Sequence, residues 1–391
     1  MGSLSAVLSG SNFRAGVSVT AVLVIAFVAT GFLSSAYRQA RVERGHRHYE
    51  IGQALQRAGN LEGAAEEYRK ALLFLPDEPD YRLSLSVALV ELGKLDEAQS
   101  HLQELLEADP TNGLINLMMA RIDERRHKTS QAIDDFQRAV YGYWPRDKLQ
   151  QRHAARWELV SLLQQQNRPN AVIGELLQLY ANAPDDPEER SKIGFLLLRY
   201  GATSDALNLF RELVRDHPRY VEGFHGLGQA QLDSGDYLAA RREFQRAAHL
   251  DPSDHENLNL LALANSVIEL DPSLPRLRAA ERLRRSHAIL ARVLRDLAAC
   301  NPANVPQAAT PSPPANNAAS ASSVAPSPAQ PLQQQLNDAA ALLNKKPADL
   351  DQAALDMQDT AGRLWKERSA FCPGKAAHDQ PLELVLSRIA Q

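Results

Sequence analysis

His46 and His48 stand two residues apart, and a histidine pair is the commonest start of a metal site. On a helix, however, positions two apart point to different sides. The pair does not converge, and no metal is expected. Two acidic doublets, Asp134-Asp135 and Asp185-Asp186, are the residue types of acid–base catalysis. Adjacent carboxylates of this kind are ordinarily solvated helix faces and caps. Two cysteines, Cys300 and Cys372, occur in 391 residues. Neither has a second Cys or His at the short spacing a zinc site needs. A disulfide between them suits an exported domain, and two separate reduced thiols suit a cytoplasmic one. There is no glycine loop to cradle phosphate, no HExxH, no nucleophile elbow and no Cys-x-x-Cys. The residues therefore predict no enzyme, no catalytic residue and no cofactor.

Charge narrows the partners. Lys and Arg number 43 against 47 Asp and Glu, a net charge of -4. That balance lacks the basic field of nucleic-acid binders, so nucleic acid is not an expected partner.

What the chain does carry is self-similarity. Ile193, Gly194, Leu197, Gly201, Ala206, Phe210, Leu213 and Pro218 return 34 positions later as Leu227, Gly228, Gln231, Gly235, Ala240, Phe244, Ala247 and Pro252. A first block ending at Pro76 places Gly52, Gly59, Ala64 and Tyr68 in the same register, with His48 where an aromatic would open the first helix. A second, ending at Pro110, has Leu85, Ser86, Gly93, Ala98 and Leu102. The third keeps Ala120, Ala132 and Phe136 but ends at Trp144-Pro145, a worn edge. Six extra residues around Arg146 to Arg152 read as a lengthened turn before a degenerate fourth block with Val160, Val172 and Leu176. A seventh unit begins with Leu258, Leu261 and Ala262, and the turn Asp271 to Pro275 interrupts it.

This pattern, L-G-x2-Y then A-x3-F then P with a period of 34, resembles the tetratricopeptide repeat family. The resemblance implies an all-α fold, an α-solenoid in which helix hairpins stack as a right-handed superhelix over residues 45–300. Small residues sit where paired helices cross, and the closing proline ends each second helix. The helix from Arg276 to Ala299 is expected to cap the array, with Arg278, Glu281, Arg282 and Arg285 on its wet side.

Ahead of the repeats, Ala15 to Leu33 is an uncharged apolar run long enough to span a bilayer, so residues 1–36 read as an anchor or a signal. The four arginines that follow, counted literally, favour a cytoplasmic repeat domain. The signal-like layout, the linker and the cysteine pair favour an extracytoplasmic, periplasmic-side domain, which is the expectation adopted. Residues 301–331 are rich in Pro, Ala and Ser and read as a linker. Residues 332–391 regain helical periodicity and read as a small helical segment.

The resemblance also implies a binding surface, because first helices of such repeats face a concave groove. Transferring the register selects Tyr49, Gln53, Leu83, Val87, Leu117, Arg121, Trp157, Gln164, Phe195, Leu198, His225 and Gln229. Trp157 and Phe195 are the expected anchors, since large rigid rings supply contact area at little entropic cost. Members that clamp a terminal carboxylate use Lys, Arg and Asn. Here Tyr49, Gln53, Ser84, Val87, Leu114 and Met118 stand there, which argues against a clamp. The implied function is a scaffold or adaptor that holds a peptide or protein at a membrane surface, with envelope assembly or secretion as a setting. The alternative is an accessory, substrate-presenting subunit of a separate enzyme such as a transferase.

Overall fold

A computed structural model describes residues 10–182, 185–300, 329–371 and 379–389, and all the regular structure there is helical. The helices fall into two compact units, Met1–Ala181 and Asn182–Gln391. The first holds four antiparallel pairs: α1 (Gly10–Arg57) with α2 (Leu61–Phe74), α3 (Pro79–Glu91) with α4 (Leu95–Ala108), α5 (Gly113–Arg125) with α6 (Thr129–Tyr141), and α7 (Leu149–Gln165) with α8 (Pro169–Ala181). The second holds α9 (Pro187–Arg199) with α10 (Thr203–Asp216) and α11 (Val221–Asp233) with α12 (Tyr237–Leu250), followed by α13 (His255–Leu270), α14 (Ala279–Cys300), α15 (Ala329–Asn344), α16 (Leu350–Phe371) and α17 (Gln380–Ile389).

Each hairpin is built locally. The second helices carry one apolar stripe, as in α10, where Ala206, Leu209, Phe210 and Leu213 are buried and Asp205, Arg211 and Arg215 are not. Asn60, Asp186, Asp236 and Asp254 cap helix starts by accepting backbone N–H bonds. Between paired helices one residue takes a left-handed conformation: Gly59, Gly93, His127, Asn167, Gly201 and Gly235. Their recurrence marks the period, and the longer step from His127 to Asn167 locates the insertion.

Three expectations need correction. The six extra residues are not all in a lengthened turn: residues 142–148, with a 3-10 turn at Arg146–Lys148, make a longer connection than 75–78 or 109–112, and α7, at 17 residues, also exceeds the 13 of α3, α5, α9 and α11. Nor is the third block's edge worn. Trp144 is buried, donates from Nε1 to Ala139 O at 2.7 Å and lies against Gly113, where any side chain would collide with it. An indole fills the space of the missing proline turn. α14 does not close the array either, because α16 packs along it, while on its charged side Arg278 is exposed and Glu281 and Arg282 are half-buried. Arg282 pairs with Asp351, and Arg285 donates to Ile268 O at 2.5 Å and to Asp271 O at 3.0 Å.

The apolar run and the first repeat are one continuous helix. Thr20–Arg57 contains a stretch long and apolar enough to cross a membrane, a test that a signal sequence also passes, and none of that stretch is buried. Gly45, further along the same helix, is buried against Leu75 and Phe74. Arg41 ties the two hairpin arms together by donating twice to Phe74 O, at 3.1 and 2.6 Å. His48 takes the place of the missing aromatic, stacked on Phe74 with ring centroids 5.7 Å apart. Cys372 lies outside the described residues.

Candidate partner-binding faces

In the first unit the selected positions lie on α1, α3, α5 and α7, the first helices of the four pairs. Tyr49 stacks on Tyr81 at 4.4 Å, tilts against Tyr68 at 5.6 Å, and its Oη is 3.2 Å from Ser84 Oγ. Gln53 is exposed, and Leu83, Val87, Trp157 and Gln164 are half-buried. Leu117 is only 2% exposed, so it packs between helices and has little surface to offer a partner. Arg121 is half-buried and holds Glu158 in a two-pronged pair, Nε to Oε2 at 3.0 Å and Nη2 to Oε1 at 2.6 Å. The Glu158 hydrogen bonds push the Arg121 pKa up, and burial works against them. Nearby Glu124 is shifted up by burial and by the charge of Glu158.

In the second unit the positions lie on α9 and α11. Phe195 is half-buried, its ring edge-on to Phe210 at 5.1 Å and to His225 at 5.8 Å. His225 is 9% exposed, sits edge-on to Phe244 at 6.3 Å and has Nδ1 3.9 Å from Asp254 Oδ2. It props Phe195 from within the packing. Leu198 and Gln229 are half-buried. An open cavity of about 490 Å³ between Pro218, Phe224, Arg242, Arg246 and His249 involves none of the selected positions.

Some groups escaped the sequence reading. Glu158, the partner of Arg121, lies 37 positions on, about one helical turn short of the 40-residue step between these two hairpins. Tyr141 donates to Glu175 Oε1 at 2.9 Å across 34 positions. Glu175 in turn sits 3.2 Å from Arg156, both nearly fully buried, with the guanidinium 5.3 Å from the Tyr141 ring centre. Asp135, read as solvated, is buried and paired with Arg138. His48 meets Glu67 at 2.7 Å, and Glu67 is held below the usual carboxylate range by its bonds from Lys70 and His48. Among the described residues no group of three or more His, Cys, Asp or Glu is placed to hold a metal. The faces offer apolar, aromatic and ion-paired surface, which is the chemistry of polypeptide recognition.

Comparison with known proteins bears on the fold. Profiles of the tetratricopeptide repeat family match residues 55–122 and 195–265. No curated protein matches the chain. Among solved structures, YrrB, described as a TPR protein with an unusual peptide-binding site, shares 17% identity over 50% of this chain and 97% of its own, at a TM-score of 0.38. PilF of Pseudomonas aeruginosa shares 16% over 57% and 99%, at 0.37. The C-terminal part of a TPR repeat-containing protein from Cytophaga hutchinsonii shares 18% over 62% and 94%, at 0.41. The two profile matches fall on antiparallel helix pairs, and residues 55–122 and 195–265 of this chain are tetratricopeptide repeats.

Proposed function

We propose that the chain is a non-catalytic scaffold that holds a peptide or protein on the first-helix faces of its repeats, beside a membrane reached through α1. The observation that supports this most is Phe195: a large ring left only partly buried while Phe210 and His225 hold it from two sides. A ring already immobilised loses little entropy when a partner covers it, which is what distinguishes a binding anchor from a merely exposed apolar side chain. Leu198 and Gln229 border it with apolar and hydrogen-bonding surface. The continuity of α1 from the apolar run into the first repeat supports a membrane-proximal array, since a helix transmits position without a flexible joint.

Photo-crosslinkable residues at Phe195 and Leu198 in intact cells test the reading. Both positions are expected to capture one and the same protein, which a crosslinker at exposed Glu212 on α10 does not capture. Phe195→Ala is expected to weaken capture by about 30-fold, the scale of a buried aromatic anchor. Equal capture from Glu212, or unchanged capture by a folded Phe195→Ala chain, refutes the assignment.

A further inference from the structure

The end of the second unit holds a helix that belongs to it in space but not in sequence. Leu382, Val385 and Leu386 of α17 are buried in the core formed with α13 and α14. Tyr237 donates from Oη to Leu384 O at 2.8 Å, across 147 positions. Arg388 donates to Gly235 O at 3.3 Å and to Asp271 Oδ2 at 3.1 Å, with its guanidinium 5.8 Å from the Tyr237 ring centre. Asp271 is fully buried, its other oxygen occupied by Ser273 N and Oγ at 2.8 and 2.6 Å. At the other end of α17, Arg292 meets Asp379 at 3.2 Å.

The neighbouring helix α16, which also packs against α17, is held on α14 as well. Ala354, Met357, Ala361 and Leu364 are buried, Gln358 donates to Ser286 Oγ at 3.0 Å, and Arg368 donates to Asp296 at 2.7 Å. α17 has only ten residues, below the roughly 12–15 at which a helix holds together in water, so it is ordered chiefly by its site. Two open cavities flank it, one of about 360 Å³ beside Arg388, between Gly235, Tyr237, Leu274 and Pro275, and one of about 380 Å³ beside Pro381, between Glu269, Leu270, Arg285 and Ala288.

We propose that the surface formed by α13, α16 and the turn at Asp271, with Tyr237 at the start of α12, is a helix-binding site, that α17 occupies it as an internal ligand, and that an amphipathic partner helix with the same Leu-x-x-Val-Leu-x-Arg face replaces it. The apolar residues supply the contact. The arginine supplies selectivity, because the buried Asp271 carboxylate is costly to leave without a cation. This site is separate from the Phe195 face, and its test does not involve that face.

The probe is a fluorescent peptide of residues 379–391, added to the full chain. The unaltered chain is expected to bind it weakly, because the site is filled. A full-length Val385→Asp, Leu386→Asp variant, whose own α17 is expelled, is expected to bind it at least tenfold more tightly, and Arg388→Ala in the peptide is expected to lose about tenfold of that. Failure of a folded variant to bind overturns the proposal, as does a concentration-dependent dimer of the unaltered chain by light scattering, which would assign the site to a second copy. Hydrogen exchange on the unaltered chain covers the case in which the variant unfolds. Amides of residues 384–389 are expected to exchange faster than those of 357–364, and equal rates overturn the proposal.

Discussion

The ring of Phe210 fills the space where Gly194 would carry a side chain: a Cβ at Gly194 would lie 2.5 Å from Cζ. Gly226 of the next hairpin gives way to the same ring from another side, so one phenylalanine on α10 joins α9 to α11. The relation recurs. A Cβ at Gly52 would meet Tyr68 at 2.6 Å, and one at Gly228 would meet Phe244 at 2.6 Å. At the corresponding places the second block pairs Ser86 with Leu102 and the fourth pairs Val160 with Leu176, all buried. In those two blocks a larger first-helix residue faces a smaller second-helix one, as close packing requires, while the third block sets Ala120 against Phe136.

The exchange should be transferable. Gly194→Val is expected to destabilise the second unit by about 1–3 kcal/mol through overpacking. Adding Phe210→Leu, the combination of the fourth block, is expected to cost less than the sum of the two single changes by more than about 0.5 kcal/mol. Urea unfolding of the four members of the cycle measures this, and strict additivity would contradict the size relation.

His127 holds a conformation that four of the other five hairpin turns give to glycine, with φ at 59°. A Cβ in that region costs roughly 1–2 kcal/mol. His127→Gly is therefore expected to raise stability by up to about 1 kcal/mol after the extra freedom of the unfolded glycine is subtracted. Asn167→Gly, starting from φ 51°, is expected to gain less, because Asn tolerates this region better than most residues. Thermal unfolding of the two variants ranks them.

Arg156 and Glu175 form a buried pair at 3.2 Å, with Nε and Nη2 of the arginine lacking a hydrogen bond. Burial pushes the Arg156 pKa down, and the Glu175 charge opposes it. Glu175→Ala is expected to cost about 3–5 kcal/mol by stranding the guanidinium. Replacing both members by Met and Leu is expected to be far milder. A double replacement as damaging as Glu175→Ala would show that the pair stabilises through more than mutual compensation.

His101 on α4 has its pKa pushed down, first by burial and then by the Arg82 charge, with Glu97 opposing. The folded chain therefore prefers the neutral ring. Stability from this preference is full above the unfolded value near 6.5 and is lost as pH falls through the depressed folded value. His101→Gln is expected to flatten stability against pH below about 6.5. A slope there equal to that of the unaltered chain would assign the dependence to other groups.

The hairpins were legible because their causes are local. The 34-residue recurrence, the small residues at Gly52, Gly194 and Gly228 and the aromatic partners at Tyr68, Phe210 and Phe244 follow from helix geometry within about thirty residues of chain. The same register also carried Leu117 and His225 onto the binding list, and both are buried. A register assigns a residue to a side of a helix, but neighbouring helices decide how much of that side remains open.

By itself the sequence determined the fold family, the position of the repeats and the apolar run before them, because each depends on spacing that one segment carries. Only the tertiary structure decided that Trp144 fills a turn without its closing proline, that Arg156 and Glu175 meet in the interior and that α17 packs on α13 and α16 with Arg388 on Asp271. Those outcomes depend on which surfaces meet after the chain has folded, and residues 147 positions apart, such as Tyr237 and Leu384, share no periodicity that could announce their contact.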